Sequence, residues 1–547
     1  MESLERVPDT AWGQTTIRDG MKNDKLTGST PGQQLSGIFS NSPERVLFWL
    51  IAVIAVLWTV QCTLLQPVLG RDILETVTWG STWQLGHTKH PPLSGWIGYL
   101  TALASSWSNS AMYFIAQISL VIGVYYTWKL AREYFDRYEA ALAALLLYTL
   151  FYYNPSSMKF CSHFVEAAFM PAFVYYFIAG TKRQHLADWV LFGVFGALAI
   201  LGKYAAWMVL FACFLYMLFD PQARKSFRKP GAWLGAAVLL ALVAPHLVWL
   251  AQHDFCCIRH LERRVDDDPV PWYWFLLVIG TVLLPLGVQG AALLLAHCPW
   301  RRGELERVPV RREGLKIALF MTGVPAAILL AIAVSGRDVV LMWFSFLASW
   351  TGMVTVGLWP WRVTPNFFRK VCIVTALYTL VMLVGTTGDM LWFPRLRCHT
   401  DPDQIVRAAQ EFYRKNSGGK EIPFVIGDRW LAGVVQFYAP NHPQSFDVDD
   451  HATIKVFRDE IRRRGVLLVG KPGKLRKLLS KPMDGVCSGE ASPGPQCRLL
   501  PGLTDSVKFE QFTIRYRTLL GRPDEDDSYF AFVPGEEALR RGVAAER

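Results

Sequence analysis

The chain has 547 residues, of which 52% are hydrophobic and 21 are tryptophan. This composition and a positive mean hydropathy do not suit a string of soluble domains and favour a membrane protein. The net charge of +11 would suggest a nucleic-acid partner in a soluble protein. Here, however, the basic residues lie mainly in short loops between apolar segments, so membrane topology explains them better and no nucleic-acid partner is expected.

The first 42 residues are polar and rich in Gly, Ser, Thr and Asp, which predicts a disordered tail. Residues 43–390 then form a predicted transmembrane domain with about eleven apolar spans. These predicted spans lie near residues 46–66, 111–130, 139–154, 163–179, 186–201, 204–219, 232–250, 272–297, 315–334, 338–358 and 369–388.

Lysine and arginine collect in alternate loops, which predicts that those loops face the cytoplasm. The opposite side then receives a first outer loop (residues 67–110), a second outer loop (residues 251–271) and an outer domain (residues 391–547). We therefore expect a multi-pass membrane protein with a cytoplasmic N-terminus and contacts to membrane lipids.

The outer domain has a soluble composition in which helical patterns alternate with short apolar runs. This alternation predicts a small α/β domain. Cys487 and Cys497 flank a turn rich in Gly, Pro and Ser and could form a small disulfide loop; such a disulfide would place this region outside the cytosol. Most of the other cysteines lie in or beside apolar segments and are interpreted as small hydrophobic residues.

Two carboxylates stand in the first outer loop. Asp72 and Glu75 are three residues apart and would share one face of a helix. Such a pair can deprotonate an acceptor hydroxyl, orient it, or hold a divalent cation against a phosphate. The alternative is a solvated helix cap beside the membrane.

Lys89 and His90 follow in the same loop, directly before Pro91-Pro92. Cationic donors there would suit a phosphate leaving group, although Lys89 could also only reach towards the membrane interface and His90 only pack. Trp79 and Trp83 are candidates for sugar stacking or for anchoring at the membrane interface.

Basic residues recur in the second outer loop and at the outer end of an apolar span. Arg259, Arg263 and Arg264 would bind an anionic headgroup or phosphate, or would pair with the acidic run 266–268. Lys203 with Tyr204 would reach the same phosphate or mark a polar turn.

Several motifs together resemble a known family. They are Asp72-x-x-Glu75, Trp79-Gly80, Trp83-Gln84-Leu85-Gly86, Lys89-His90-Pro91-Pro92-Leu93, Lys203-Tyr204, Pro245-His246-Leu247-Val248-Trp249-Leu250 with Gln252-His253-Asp254-Phe255, and the segment 425–433. The pattern is similar to bacterial family 39 glycosyltransferases of the C-type (GT-C) fold, which are related to protein O-mannosyltransferases and lipid A aminoarabinose transferases.

This resemblance implies a polytopic α-helical GT-C membrane protein that transfers a sugar from a polyprenyl-phosphate donor to a lipid, glycan or protein acceptor, with inversion. It makes Asp72 the favoured catalytic carboxylate and Glu75 its partner. The implied phosphate-binding residues are Lys89, His90, Lys203, Arg259, Arg263 and Arg264, and the implied pocket residues are Trp79, Trp83, Tyr204 and His253.

The chain departs from the family at three places. Many relatives have adjacent acidic residues where this chain reads Asp72-Ile73, which leaves the roles of Asp72 and Glu75 open. The aminoarabinose transferases have Glu-Lys where this chain has Lys89-His90, so no cofactor is assigned and a divalent cation stays open. The segment 159–163 also differs from the Asn-containing sequence that similar proteins often carry.

Two other classes of function stay open at this stage. A multi-span transporter or lipid flippase would have polar or broken helices near the middle of the bilayer, and the apolar spans here contain few such interruptions. A membrane scaffold with an outer binding domain would bind the carrier lipid without transferring sugar.

Overall fold

The computed structural model describes residues 42–266, 273–297, 306–335, 341–480, 507 and 509–536. Residues 1–41 of the predicted tail and both cysteines of the predicted disulfide loop lie outside these ranges. The residues from Pro43 onward belong to one structural unit.

The transmembrane domain is built from helices. Their bounds are α1 (Pro43–Leu65), α2 (Arg71–Ser81), α3 (Leu93–Ala104), α4 (Asn109–Arg132), α5 (Arg137–Leu145), α6 (Ser162–Arg183), α7 (Leu186–Gly202), α8 (Ala206–Phe219), α9 (Pro221–Arg224), α10 (Pro230–Gln252), α11 (Cys256–Asp266), α12 (Trp274–His297), α13 (Arg312–Val334), α14 (Ala348–Leu358) and α15 (Pro365–Trp392). Within the described ranges, seven helices are long and apolar enough to cross a membrane, or eight if the bent pair 206–228 is one span. The chain is therefore a multi-span α-helical protein, and the count of eleven spans stays a prediction.

The first outer loop contains two helices, α2 and α3, that pack closely against each other. A Cβ atom added at Gly80 would lie 2.1 Å from the backbone oxygen of Gly95, and one added at Gly98 would lie 2.6 Å from Thr76 Oγ1. Glycine is required because only it lets the two backbones approach this closely. Asp72 and Glu75 both lie on α2, as their spacing predicts.

The predicted span 139–154 is not one continuous helix. After α5, the backbone forms 3₁₀ turns at Leu146–Thr149, Phe151–Tyr153 and Pro155–Met158. The buried Asn154 side chain accepts a hydrogen bond from Trp58 Nε1 at 3.0 Å and donates one to the Tyr148 carbonyl at 2.6 Å. Gln289 Nε2 donates to the Leu146 carbonyl at 3.3 Å. Irregular backbone is tolerated here because it is enclosed by protein and its polar groups find side-chain partners.

Ion pairs join the helices at the end of the bundle opposite the outer domain. They are Arg137–Glu44, Lys182–Glu133, Arg183–Glu133, Arg311–Glu139 and Lys316–Asp220. All five basic residues come from loops or helix ends on the side predicted to be cytoplasmic. These pairs hold neighbouring helix ends together, and the orientation of the chain in the membrane stays a prediction.

The outer domain is a small α/β domain, as its composition predicts. Its elements are α16 (Leu396–His399), α17 (Pro402–Ser417), β1 (Phe424–Gly427), α18 (Arg429–Tyr438), β2 (Gln444–Asp447), α19 (His451–Arg464), β3 (Gly465–Gly470), α20 (Pro472–Ser480), β4 (Phe509–Arg517) and β5 (Pro523–Pro534). In the described part of the domain, five strands form a sheet in the order β2-β1-β3-β5-β4. Strand β1 pairs in parallel with both β2 and β3, whereas β5 pairs antiparallel with β3 and β4.

Helix α18 attaches the outer domain to the first outer loop. Trp430 Nε1 donates to the Leu69 carbonyl at 3.1 Å, and the Leu69 amide donates to the Tyr438 hydroxyl at 2.9 Å. Gly433 packs so closely on α2 that an added Cβ would lie 2.7 Å from Leu74 Cβ. The position of α2 is therefore fixed by the outer domain as well as by the membrane helices.

Replacing Gly433 by alanine is expected to lower the thermal unfolding midpoint of the purified protein. The added methyl group must push α2 and α18 apart, and overpacking of this kind costs about 1–3 kcal/mol. Gly473→Ala in the same domain is the control, because an added Cβ there meets no atom within 4 Å. Equal midpoints for the two variants would contradict the close packing of α18 on α2.

Candidate active site

A cavity of about 1560 Å³ lies between the outer domain and the nearby ends of the membrane helices. Nine of the residues predicted from the sequence line it: Asp72, Glu75, Trp79, Lys89, His90, Lys203, Tyr204, His253 and Arg259. Most of the predicted site residues are therefore brought together, although they come from segments far apart in the sequence.

Three predicted residues are not among the described residues that line the cavity. Trp83 is not among the described residues that line the cavity; it is 52% exposed, and its ring centroid lies 5.8 Å from that of Tyr99. Its left-handed backbone, with φ of 51°, follows the end of α2 and directs the ring towards α3. Arg263 and Arg264 lie in helix α11, and the structure does not describe their side chains.

Asp72 stands in the first turn of α2 with its carboxylate 30% exposed to the cavity. Lys159 Nζ lies 3.1 Å from Asp72 Oδ2, and Arg71 Nε lies 3.8 Å from Oδ1. Burial acts to raise the pKa of Asp72, but the charge and hydrogen bond of Lys159 and the charge of Arg71 outweigh it, so the pKa is lowered. Asp72 is therefore an ionised carboxylate with access to the cavity.

Glu75 takes part in a closed ring of four ionisable side chains. Lys89 Nζ lies 3.0 Å from Glu75 Oε1 and 3.3 Å from Asp447 Oδ2, while Arg429 Nε lies 2.9 Å and 2.7 Å from the same two atoms. None of the four side chains is more than 20% exposed. We call these four residues the charge ring; it joins the first outer loop to the outer domain.

The two carboxylates of α2 differ in their protonation. Burial raises the pKa of Glu75 to about 8; Arg429 opposes this rise, while Asp447 and Asp72 add to it. A buried carboxyl group with a raised pKa, one oxygen of which is held by Lys89 and Arg429, is poorly placed to act as the ionised base. The geometry therefore favours Asp72 for proton transfer and Glu75 for holding the first outer loop on the outer domain.

Lys203 is held in the cavity wall by a buried carboxylate. Its Nζ lies 3.2 Å from Glu166 Oε2 and 2.9 Å from His163 Nδ1. Ser345 Oγ lies 2.9 Å from the same His163 nitrogen. Glu166 is completely buried, so the pair fixes the ammonium group at the outer end of α7 beside the cavity.

His90 differs from the cationic donor that the sequence predicts. Burial lowers the pKa of His90 well below its usual value, and the positive charge of Lys203 lowers it further. The ring of Trp79 contacts His90 edge-on, with centroids 5.5 Å apart. His90 is therefore neutral at physiological pH, and it can offer a phosphate a neutral N–H group but no charge.

Helix α10, which leads into the second outer loop, is hydrogen-bonded to the first outer loop and to Tyr204. His246 Nδ1 donates to the Leu85 carbonyl at 2.6 Å, which leaves Nε2 to accept from the Tyr204 hydroxyl at 2.9 Å. His253 stacks on Trp249 with centroids 4.1 Å apart. Arg259 Nη2 lies 3.5 Å from Asp254 Oδ2 at the exposed edge of the cavity.

Several important residues were not identified from the sequence. Lys159 and His163 lie in the segment 159–163, which departs from the family pattern, and Arg429 lies within the outer-domain segment that resembles it. Asp447 carries no local signal because its partners Glu75 and Lys89 are more than 350 residues away. Within the described residues, no group of three or more His, Cys, Asp or Glu side chains is arranged to hold a metal ion.

Replacing Arg429 by methionine is expected to destabilise the protein by about 3–5 kcal/mol, because Glu75 and Asp447 would then share one cation in a buried site. The measurement is the thermal unfolding midpoint. Arg407→Met is the control, since its ion pair with Asp403 is exposed and contributes little. The double variant Glu75→Gln/Arg429→Met should recover part of the stability that Arg429→Met loses. If the effects of the two substitutions on the unfolding midpoint simply add, the two residues do not interact and the charge ring is contradicted.

Two curated relatives and one family model resemble parts of the chain. The family model for dolichyl-phosphate-mannose-protein mannosyltransferases matches residues 89–249. The lipopolysaccharide core galacturonosyltransferase RgtB of Rhizobium johnstonii is 26% identical over 47% of this chain and 53% of its own length. The lipid A galacturonosyltransferase RgtD of the same organism is 24% identical over 34% of this chain and 39% of its own length. The chain thus matches about half the length of these curated relatives, or less.

Among solved structures, the crystal structure of ArnT from Cupriavidus metallidurans bound to undecaprenyl phosphate superposes with a TM-score of 0.48 and 15% identity. The superposition covers 79% of this chain and 94% of that chain. At this TM-score the superposition alone does not decide the fold. The family match and the curated relatives confirm that the chain resembles membrane glycosyltransferases of the kind that its sequence motifs predict.

Proposed function

We propose that this protein is a glycosyltransferase of the bacterial inner membrane that takes a sugar from a polyprenyl-phosphate carrier on the periplasmic face. The acceptor is a component of the cell envelope: lipid A, lipopolysaccharide core, another glycan or a protein. The names of RgtB and RgtD support the first two classes. The N-terminus lies in the cytoplasm and the outer domain in the periplasm.

The observation that carries this proposal is the ionised carboxylate of Asp72 in a large cavity where the membrane helices meet the outer domain. A base in this place can reach both a carrier lipid held among the helices and an acceptor entering from the outer side. A cavity of about 1560 Å³ exceeds the usual ~300–1,000 Å³ of a small-molecule site. It has room for a sugar held between two larger substrates.

The proposed reaction is a single displacement with inversion. The acceptor oxygen attacks the anomeric carbon while Asp72 accepts the hydroxyl proton. The bond between the anomeric carbon and the phosphate oxygen breaks, and its electron pair leaves with the carrier phosphate. Lys203 and Arg259 stabilise the developing negative charge, and His90 donates a neutral hydrogen bond.

Asp72→Asn should lower sugar transfer by a factor of at least about 100, because a general base contributes about 10²–10⁴-fold. The assay follows transfer from radiolabelled polyprenyl-phosphate sugars in membranes that contain equal amounts of each variant. Asp389→Asn is the control, since Asp389 pairs with Arg395 and is not among the described residues that line the cavity.

Unchanged transfer in Asp72→Asn would remove this carboxylate from the mechanism. If the wild-type protein transfers sugar from none of the carriers tested, the transporter and scaffold alternatives gain support. Retained binding of the carrier by Asp72→Asn would show that the variant is folded.

Lys159→Met should move the acidic limb of the pH–activity profile to higher pH. Activity requires ionised Asp72 and is lost as the pH falls through its pKa; Lys159 lowers that pKa, so its removal raises it. The profile is measured as transfer rate against pH, with Lys159→Arg as the variant expected to restore the wild-type limb. An unchanged limb in Lys159→Met would contradict the role of Lys159 as a positioning residue for Asp72.

A further inference from the structure

The outer domain contributes to the cavity wall through one edge of its sheet. Strands β1, β2 and β3 are parallel and end at Gly427, Asp447 and Gly470. The outer-domain residues that line the cavity follow these ends: Arg429 after β1, Val448, Asp449, His451, Ala452, Lys455 and Val456 after β2, and Lys474 after β3. In open α/β sheets, ligands bind outside the carboxyl ends of the parallel strands, where the chain connections diverge to the two faces of the sheet.

The chain connections of this sheet diverge between β1 and β3. Helix α18 connects β1 to β2 and packs on α2, whereas α19 connects β2 to β3 and shares its apolar core with α20. In the strand order β2-β1-β3-β5-β4, the chain that leaves β1 leads to β2 on one side, and the chain that leaves β3 leads towards β4 on the other. The cavity therefore opens onto the place in this fold where ligand sites generally form.

Two cations at this edge are not neutralised by a carboxylate. Lys89, Lys203, Arg259 and Arg429 each have an acidic partner, whereas Lys455 and Lys474 have none within the described part of the chain. Both side chains are exposed and line the cavity. Among the described outer-domain residues that line the cavity, Asp449 is the only carboxylate. The positive charges at this edge therefore outnumber the negative ones.

We propose that the carboxyl edge of β1, β2 and β3 binds a phosphate group of the acceptor, with Lys455 and Lys474 as its ligands. The inference rests on the proposed function and specifies its acceptor as a phosphorylated glycolipid. Two ammonium groups on one wall are a common arrangement for holding a phosphate by charge.

The acceptor suits this edge better than the carrier does. Inversion requires the attacking oxygen and the leaving phosphate to lie on opposite sides of the anomeric carbon. Lys203 stands at the end of membrane helix α7, where the phosphate of a lipid embedded among the helices would arrive. Lys455 and Lys474 belong to the part of the cavity wall that the outer domain supplies.

Binding in nanodiscs provides the test. The probes are bisphosphorylated lipid A, the same lipid A without phosphates, and undecaprenyl phosphate. The variant Lys455→Gln/Lys474→Gln should bind bisphosphorylated lipid A at least about tenfold more weakly, since two charge-assisted contacts are lost. Its affinity for undecaprenyl phosphate should stay unchanged, as should both affinities of the control Lys415→Gln/Lys420→Gln in the same domain.

Each other outcome would overturn the inference. Equal wild-type affinity for lipid A with and without phosphates would exclude a phosphate site, and weaker binding of undecaprenyl phosphate alone would assign the lysines to the carrier. An equal loss of lipid A affinity in the control variant would show that the effect comes from general surface charge and not from a specific site. Because binding is measured without transfer, an inactive wild-type protein that still shows lysine-dependent binding would refute the proposed function and leave the phosphate site standing.

Discussion

The charge ring is the interaction on which the arrangement of the site depends. Four ionisable side chains leave water together, and one oxygen of each carboxyl group is contacted by both cations. Charges removed from water are tolerated only with close and complete pairing. Each half holds one acid and one base, Glu75 with Lys89 in the first outer loop and Asp447 with Arg429 in the outer domain. The two cross contacts, Lys89 with Asp447 and Arg429 with Glu75, join the halves. The outer domain is thus joined to the loop that carries Asp72.

This arrangement gives Asp72 and Glu75 different roles, proton transfer and structural support, which the sequence alone does not assign. Asp72 and Glu75 lie one turn apart on α2, yet one meets Lys159 at a partly exposed position and the other is enclosed by the ring. The first environment lowers the carboxyl pKa and the second raises it. Opposite shifts on neighbouring carboxylates are a recurring way to obtain a base and a structural acid from one residue type.

Local and periodic features of the structure could be predicted from the sequence. Apolar segments long enough to span a membrane, the helix that carries Asp72, and the strands around residues 424–427 and 465–470 all have signals within a few residues. The charge ring, the Lys159–Asp72 pair and the irregular backbone around Asn154 depend on partners far away in the chain, which one sequence does not disclose. Strands β4 and β5 were missed for a related reason. Most of β4 is not buried, so its stability comes from pairing with β5 and not from a strong apolar pattern.

The 3₁₀ turns between α5 and α6 affect where the side chain of Lys159 is placed. A 3₁₀ turn rises about 2.0 Å per residue, compared with 1.5 Å in an α-helix. Leu150 and Asn154 stand between the three turns in non-helical conformations, so the turns do not continue one helix. Lys159 follows directly after the last turn in an extended conformation. A regular helix through this segment would fix residue 159 in the helical register, and its ammonium group would lose the direction that brings it to Asp72.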